Sequence, residues 1–191
     1  MSPSLIAWTD VETTGLDPAT DYLLEVACIL TDLEGTPVAD PFHRVIHYRP
    51  AAVVQLRSRC VEVVREMHDK TGLWDALSTD DASPRMEVEK DLLAYITEHA
   101  PTPRTVEVGG NSVRLDLNFL DVWLPKVAEH LHYRTTDVTV LRRVLARWGV
   151  QCPTPINSRP HEALADIQNA LTEYRMLQDA VRNLVGSQQQ R

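Results

Sequence analysis

The chain has 191 residues, is 43% hydrophobic and carries a net charge of −8. That length and composition suit one ordinary domain, read over 1–191 with its core at 5–184 and short loose ends, and they exclude a broadly disordered chain. The acidic balance argues against a long nucleic-acid footprint, which needs a positive stripe, and leaves negative charge for bound cations to neutralise.

Residues 5–12, "LIAWTDVE", form the first expected strand, and "TTGLDPATD" the loop after it. Residues 22–32, "YLLEVACILTD", are the second strand, with a turn at 34–37. A third strand is expected over 42–49 from the alternation of Phe42, Val45 or Ile46, and Tyr48, which makes an antiparallel meander. Short helices are expected at 59–67 and 73–78, flanking 68–72. A longer one over 84–98 places Met86, Leu92 or Leu93, and Ile96 on its apolar face, after a cap-like start at Ser83 and Pro84. Residues 105–108 are a fourth strand entering "GGNS", and 115–131 a helix broken at Pro125. Residues 134–138 are a short strand or loop, 139–148 a helix, and 150–160 a proline-rich loop. The last helix, 161–184, repeats Leu164, Ile167, Leu171, Tyr174 and Leu177 or Gln178 at helical spacing. Strands first, then helices alternating with strands, give an α/β class with a mixed sheet. No run of about 18 apolar residues suggests a membrane span, and the first residues lack a signal peptide's pattern. Cys28, Cys60 and Cys152 are scattered, without CxxC spacing, as expected of reduced thiols in a cytoplasmic protein.

Three places carry chemistry. Asp10 and Glu12 are two apart on a strand, so their carboxylates share a face and repel unless a cation lies between them. Hard oxygen ligands suit Mg²⁺ or Mn²⁺. Asp116 follows the tight turn Gly109-Gly110-Asn111 at the start of a helix, where an acid also serves as an ordinary stabiliser of the helix N-terminus. In "PHEALAD", His161 stands where loop becomes helix and Asp166 about one turn inside, with Glu162 four residues before Asp166 on the same helix face. Each of these alone is more often a solvated surface group than a site.

Their order, D-x-E, D, then H-x₄-D, resembles the DEDD exonuclease superfamily in its histidine-containing branch. "DVETTGLD" looks like that superfamily's first motif. "TDYLLEVACILTD", "GGNSVRLDLNFLDVWLP", "HLHYRTTDVTVLRRVLARW" and "HEALADI" look more narrowly like oligoribonuclease, and the likeness runs over about 5–184. The resemblance implies an RNase H-like fold with a five-stranded mixed sheet, and 3′-to-5′ hydrolysis of short oligoribonucleotides to 5′-mononucleotides by two divalent ions. It implies that Asp10, Glu12 and Asp166 hold one ion, that Asp10 bridges to a second supported by Asp116, and that His161 takes the proton of the attacking water.

For the substrate, the resemblance implies that Thr13, Gly15 and Leu16 meet the terminal nucleotide, with Leu16 as an apolar wedge. Asn111, Ser112, His68, Tyr133, Arg134 and Thr139 match nucleotide- and phosphate-contacting places, with Thr139 standing for the family's serine. Tyr133 would reach in from the second subunit of a homodimer. Near Val63 the family carries a stacking tryptophan, and Trp74 stands elsewhere, so a strict dinucleotide preference does not transfer. Two alternatives are an exonuclease for longer single-stranded RNA or DNA, of proofreading or RNA-trimming type, and a silent nucleic-acid-binding module.

Overall fold

In the computed structural model, which describes residues 4–152 and 161–188, β1 (Leu5–Thr13) is the middle strand of a five-stranded sheet. β2 (Leu23–Thr31) pairs antiparallel with β1, and β3 (Phe42–Val45) antiparallel with β2. On the other side, β4 (Val106–Gly110) and β5 (Thr135–Asp137) continue the sheet in parallel, giving the order β3-β2-β1-β4-β5. All nine residues of β2 are buried, because helices cover both faces of the sheet. The expected α/β class and mixed five-stranded sheet are borne out.

The alternation of β1 sorts the two cores. Ala7 and Val11 face one way, into a core with Val26, Cys28, Leu92, Ile96, Phe119 and Leu120. The helices on that side are α4 (Arg85–His99), α5 (Arg114–Trp123) and α6 (Pro125–His130). Ile6 and Trp8 face the other way, onto Ile167, Leu171 and Leu177 of α8 (Ala163–Gln188). Each such fully buried large side chain contributes about 1.5–3 kcal/mol. A third cluster, around Leu24, Val53, Leu56, Leu73 and Trp74, seats α1 (Pro50–Arg59), α2 (Glu62–Thr71) and α3 (Leu73–Ala76). α7 (Val138–Arg147) follows β5 directly. Asp10 and Glu12 continue the even-numbered series of Ile6 and Trp8, so the strand delivers them to the α8 face.

Several expectations are corrected. β3 stops at Val45 rather than residue 49: Ile46 bridges to Ser83, and Pro50 then opens α1. α1 itself was not expected; its sequence signal is Pro50 at the first helical position, with only Val53 and Leu56 buried. Met86 is exposed, because the buried face of α4 is Val88, Leu92 and Ile96. α2 begins and ends a few residues later than expected, closed by Gly72 in the left-handed conformation. α8 runs on to Gln188, past the expected end at 184. The stretch 153–160 of the proline-rich loop, and residues 1–3 and 189–191 of the ends, lie outside the described residues.

Candidate active site

Carboxylate oxygens of Asp10, Glu12 and Asp166 all lie within 4.8 Å of one another. β1 supplies the first two by its two-residue repeat, and the first turn of α8 supplies the third on the facing side. Crowding and burial raise the need of Asp10 and Glu12 for protons. Burial first, then Asp116, Glu12, Asp166 and Glu25, push Asp10 well above the ordinary carboxylate range. Burial, then Glu25, Asp166 and Asp116, push Glu12 up to about 9. Such a set of hard, crowded oxygens fits a divalent cation, which replaces the protons as the counter-charge.

Asp116 is buried in the first turn of α5, on the opposite face from α8. Its Oδ1 accepts a 3.1 Å hydrogen bond from the backbone N–H of Val11. β4 pairs with β1 only as far as Trp8–Gly109, so Asp116 satisfies a donor that no strand reaches. Burial raises Asp116 to about 7; the Val11 bond opposes the shift and Asp137 adds to it.

His161 is exposed, with φ 69°, and its backbone N–H donates to Asp166 Oδ2 at 2.8 Å. The left-handed residue thus ties the histidine to the acid it accompanies in sequence. Glu162 is half-buried and outside the three-acid group.

The loop after β1 is heavily cross-linked. Thr13 Oγ1 donates to Gly15 O at 2.6 Å, Thr14 Oγ1 to Asp21 Oδ1 at 3.2 Å, and Asp17 N to Asp21 Oδ2 at 3.0 Å. A side chain at Gly15 would meet the Asp21 carboxylate at 2.4 Å, so anything larger than glycine requires Asp21 to move. Trp123 Nε1 donates to Pro18 O at 3.3 Å and braces the loop from α5. Leu16 stands out from this frame, 77% exposed.

Asn111, Ser112 and Thr139 come together: Thr139 Oγ1 lies 3.4 Å from Asn111 Oδ1 and 3.5 Å from Ser112 Oγ. Asp137 holds them there. Its carboxylate accepts from Ser112 N, Val113 N and Val140 N, capping α7 and clamping the turn after β4. Sequence reading missed Asp137, although an acid directly before an apolar helical run is an N-cap signal. It also missed Glu25, a lone charge in an apolar strand, which pairs opposite Glu12 and contacts the His43 ring.

Tyr133 and Arg134 are not brought to the acids. Thr135 pairs with Val108 and Val108 with Ala7, so both residues lie at the far end of the parallel strands from Glu12. Tyr133 is 74% exposed, stacked on His132 and covered on one side by the Arg134 guanidinium, 5.5 Å from its ring. It is not a core tyrosine. Val63 is 70% exposed on α2, and Trp74 is buried. His68 is fully buried, so in this conformation it does not reach a phosphate as expected.

The family model described as Exonuclease, of the RNase T type, matches residues 7–174. The chain belongs to this exonuclease family. Curated relatives narrow the likeness within it. It is 36% identical to the probable oligoribonuclease of Schizosaccharomyces pombe over 88% of this chain and 65% of that one. With the oligoribonuclease of Nocardia farcinica the identity is 36%, over 91% and 79% of the two chains, and with that of Streptomyces griseus 35%, over 92% and 86%. The resemblance to oligoribonuclease is therefore borne out. Among solved structures, exonuclease I of Methylocaldum szegediense superposes with TM-score 0.68 at 18% identity, over 92% of this chain and 40% of that one. A complex of E. coli exonuclease I with single-stranded DNA gives 0.60 at 16%, over 97% and 42%. This exonuclease-family chain therefore spans less than half of those larger proteins and shares their fold. No helix among its described residues is long and apolar enough to cross a membrane.

Proposed function

We propose that this protein is a metal-dependent 3′-to-5′ exoribonuclease that hydrolyses short oligoribonucleotides to 5′-mononucleotides. The observation that carries the reading is the meeting of Asp10, Glu12 and Asp166 within 4.8 Å, in a chain of the exonuclease family with oligoribonuclease relatives. Two divalent ions, Mg²⁺ or Mn²⁺, would stabilise the attacking and leaving oxygens of the phosphodiester. Asp10, Glu12 and Asp166 would hold the first ion, and Asp116 would support the second. His161, exposed beside Asp166, takes the proton of the attacking water. Leu16, with Thr13 and Gly15 behind it, meets the terminal nucleotide, and Asn111, Ser112 and Thr139 offer hydroxyl and amide groups to the next phosphate.

The chain works as one exonuclease domain and as a homodimer. Tyr133 is exposed at the far end of the sheet, which supports its serving the partner's site rather than its own. An apolar cavity of about 1040 Å³ between α5, α7 and α8, with exposed Trp148 and Leu141 at its wall, supports an intersubunit surface there. Three free thiols suit a cytoplasmic setting.

A second reading, with longer single-stranded RNA or DNA as substrate, is favoured by Val63, whose exposed side chain cannot stack on a base as an aromatic does. One experiment separates the two. End-labelled RNA and DNA of two to seven and of twenty units are incubated with Mg²⁺ or Mn²⁺ and product lengths followed over time. Fastest turnover on the shortest RNA supports the first reading; equal or faster turnover on twenty units supports the second. No release of mononucleotides would sink both and leave a binding module.

A further inference from the structure

His68 sits inside the molecule below the end of β1, in the last turns of α2. Its Nε2 is 2.9 Å from the carbonyl oxygen of Thr13. A carbonyl has no proton to give, so Nε2 carries the ring's proton and donates it. Trp74 meets the ring edge-on, with centroids 5.3 Å apart at 80°, and is itself pinned by its Nε1–H on Arg65 O at 3.1 Å. The second ring nitrogen, Nδ1, lies 3.9 Å from Glu12 Oε2 and has no hydrogen-bond partner among the described residues. Buried polar atoms are rarely left so without a role. The β1–β2 register also shifts between Glu12 and Thr13, where a strand bends and its ladder is locally disrupted. The ring therefore ties down the backbone beside an irregularity in the ladder, between Glu12 and the pairing that resumes at Thr13–Leu23.

We propose that His68 is a positioning residue for the cation site, holding Thr13 by its carbonyl and, through Nδ1, keeping the Glu12 carboxylate turned toward Asp10 and Asp166. A neutral ring in this tautomer presents a lone pair to Glu12, which disfavours a carboxylate that swings back toward α2. This inference rests on the cation-site reading of the three acids given above. It replaces the phosphate contact that the resemblance implied for this residue. Partners behind a metal's ligands are typically worth about 10- to 100-fold in metal affinity.

The test is calorimetric titration of the full chain with Mn²⁺, without nucleotide, for the wild type and for His68→Leu, His68→Gln and Asp10→Asn. His68→Leu is expected to weaken Mn²⁺ binding about 10- to 100-fold. His68→Gln, which keeps a donor for the Thr13 carbonyl, is expected to lose less. At saturating Mn²⁺ the KM for short RNA is expected to stay at its wild-type value. If His68→Leu does not fold, His68→Asn decides, since its side chain is too short to reach Thr13: weakened binding supports the inference and wild-type binding overturns it. Wild-type Mn²⁺ affinity in His68→Leu, or a raised KM with unaltered affinity, overturns it in favour of no role or of a phosphate contact. Wild-type affinity in Asp10→Asn instead overturns the cation site itself, and this inference with it.

Discussion

The carboxylate of Asp116 accepts a hydrogen bond from the backbone N–H of Val11, the residue between Asp10 and Glu12. One buried acid from α5 thus fixes the strand segment that presents the other two. The relationship separates what Asp116 does for the fold from what its charge does for the chemistry. In Asp116→Asn the amide oxygen can still accept from Val11, so the melting temperature is expected to stay within a few degrees while hydrolysis falls by about 10²-fold or more. Asp116→Ala leaves a buried donor unsatisfied and is expected to cost about 1–3 kcal/mol in denaturant unfolding. Equal stability losses in the two variants would refute this division.

The acids also set how stability follows pH. Glu12 is raised from its ordinary 4.5 to about 9, and Asp116 from 3.8 to about 7. Between those values the folded chain holds protons that the unfolded chain has released. Stability of the metal-free protein from these groups is therefore full below about pH 4 and falls as pH rises toward 9. Divalent cation replaces the protons, so the gain in melting temperature on adding Mg²⁺ is expected to be larger at pH 8 than at pH 5.5. Scanning calorimetry with EDTA and with Mg²⁺ checks this; a gain that shrinks with rising pH would contradict it.

His161 is exposed, and its structural tie to Asp166 runs through backbone, not through the ring. His161→Ala is expected to leave folding and Mn²⁺ binding unchanged while turnover falls by about 10²–10⁴-fold, the usual worth of a general base. Near-normal single-turnover rates would remove it from that role.

Gly15 has no room for a methyl group beside Asp21. In Gly15→Ala the Asp21 carboxylate must release Thr14 or Asp17, and the loop carrying Leu16 shifts. The expected result is about a tenfold lower kcat/KM, roughly 1.4 kcal/mol of lost transition-state binding, with cation affinity intact. Unaltered kcat/KM on every short RNA would mean that Leu16 does not meet the substrate.

Tyr133 allows a test of the dimer. A mixture of Asp10→Asn and Tyr133→Ala subunits is expected to be more active than either variant alone, because some dimers then pair an intact acid cluster with a partner's intact tyrosine. Light scattering establishes the assembly, and activity of the unfolded and co-refolded mixture reports the pairing. A mixture no better than its components would place Tyr133 outside the partner's site.

Much of this was legible in the chain. The two-residue repeat of β1 put Asp10 and Glu12 on one face, and Gly109-Gly110-Asn111 announced the turn into α5. His161 and Asp166 marked the entry to α8. Such features are local: they depend on strand and helix periods and on turn chemistry, which neighbouring residues dictate. Pro50 signals α1 in the same way, but the continuous apolar run Ala51-Ala52-Val53-Val54 after it shows no helical spacing, and only Val53 and Leu56 of that helix are buried.

Other facts belong to the tertiary structure alone. That α8 crosses the same face of the sheet as Asp10 and Glu12 follows from where Ile167, Leu171 and Leu177 find Ile6 and Trp8, a contact between segments about 160 residues apart. Glu25 joins the site only because the β1–β2 register sets it opposite Glu12. His68 looks like a surface contact in sequence, yet packing against Trp74 turns it inward beneath Thr13. The sequence by itself determined which residues have the chemistry to hold cations. Long-range packing decided which of them meet, because burial and register are properties of the folded whole and not of any one segment.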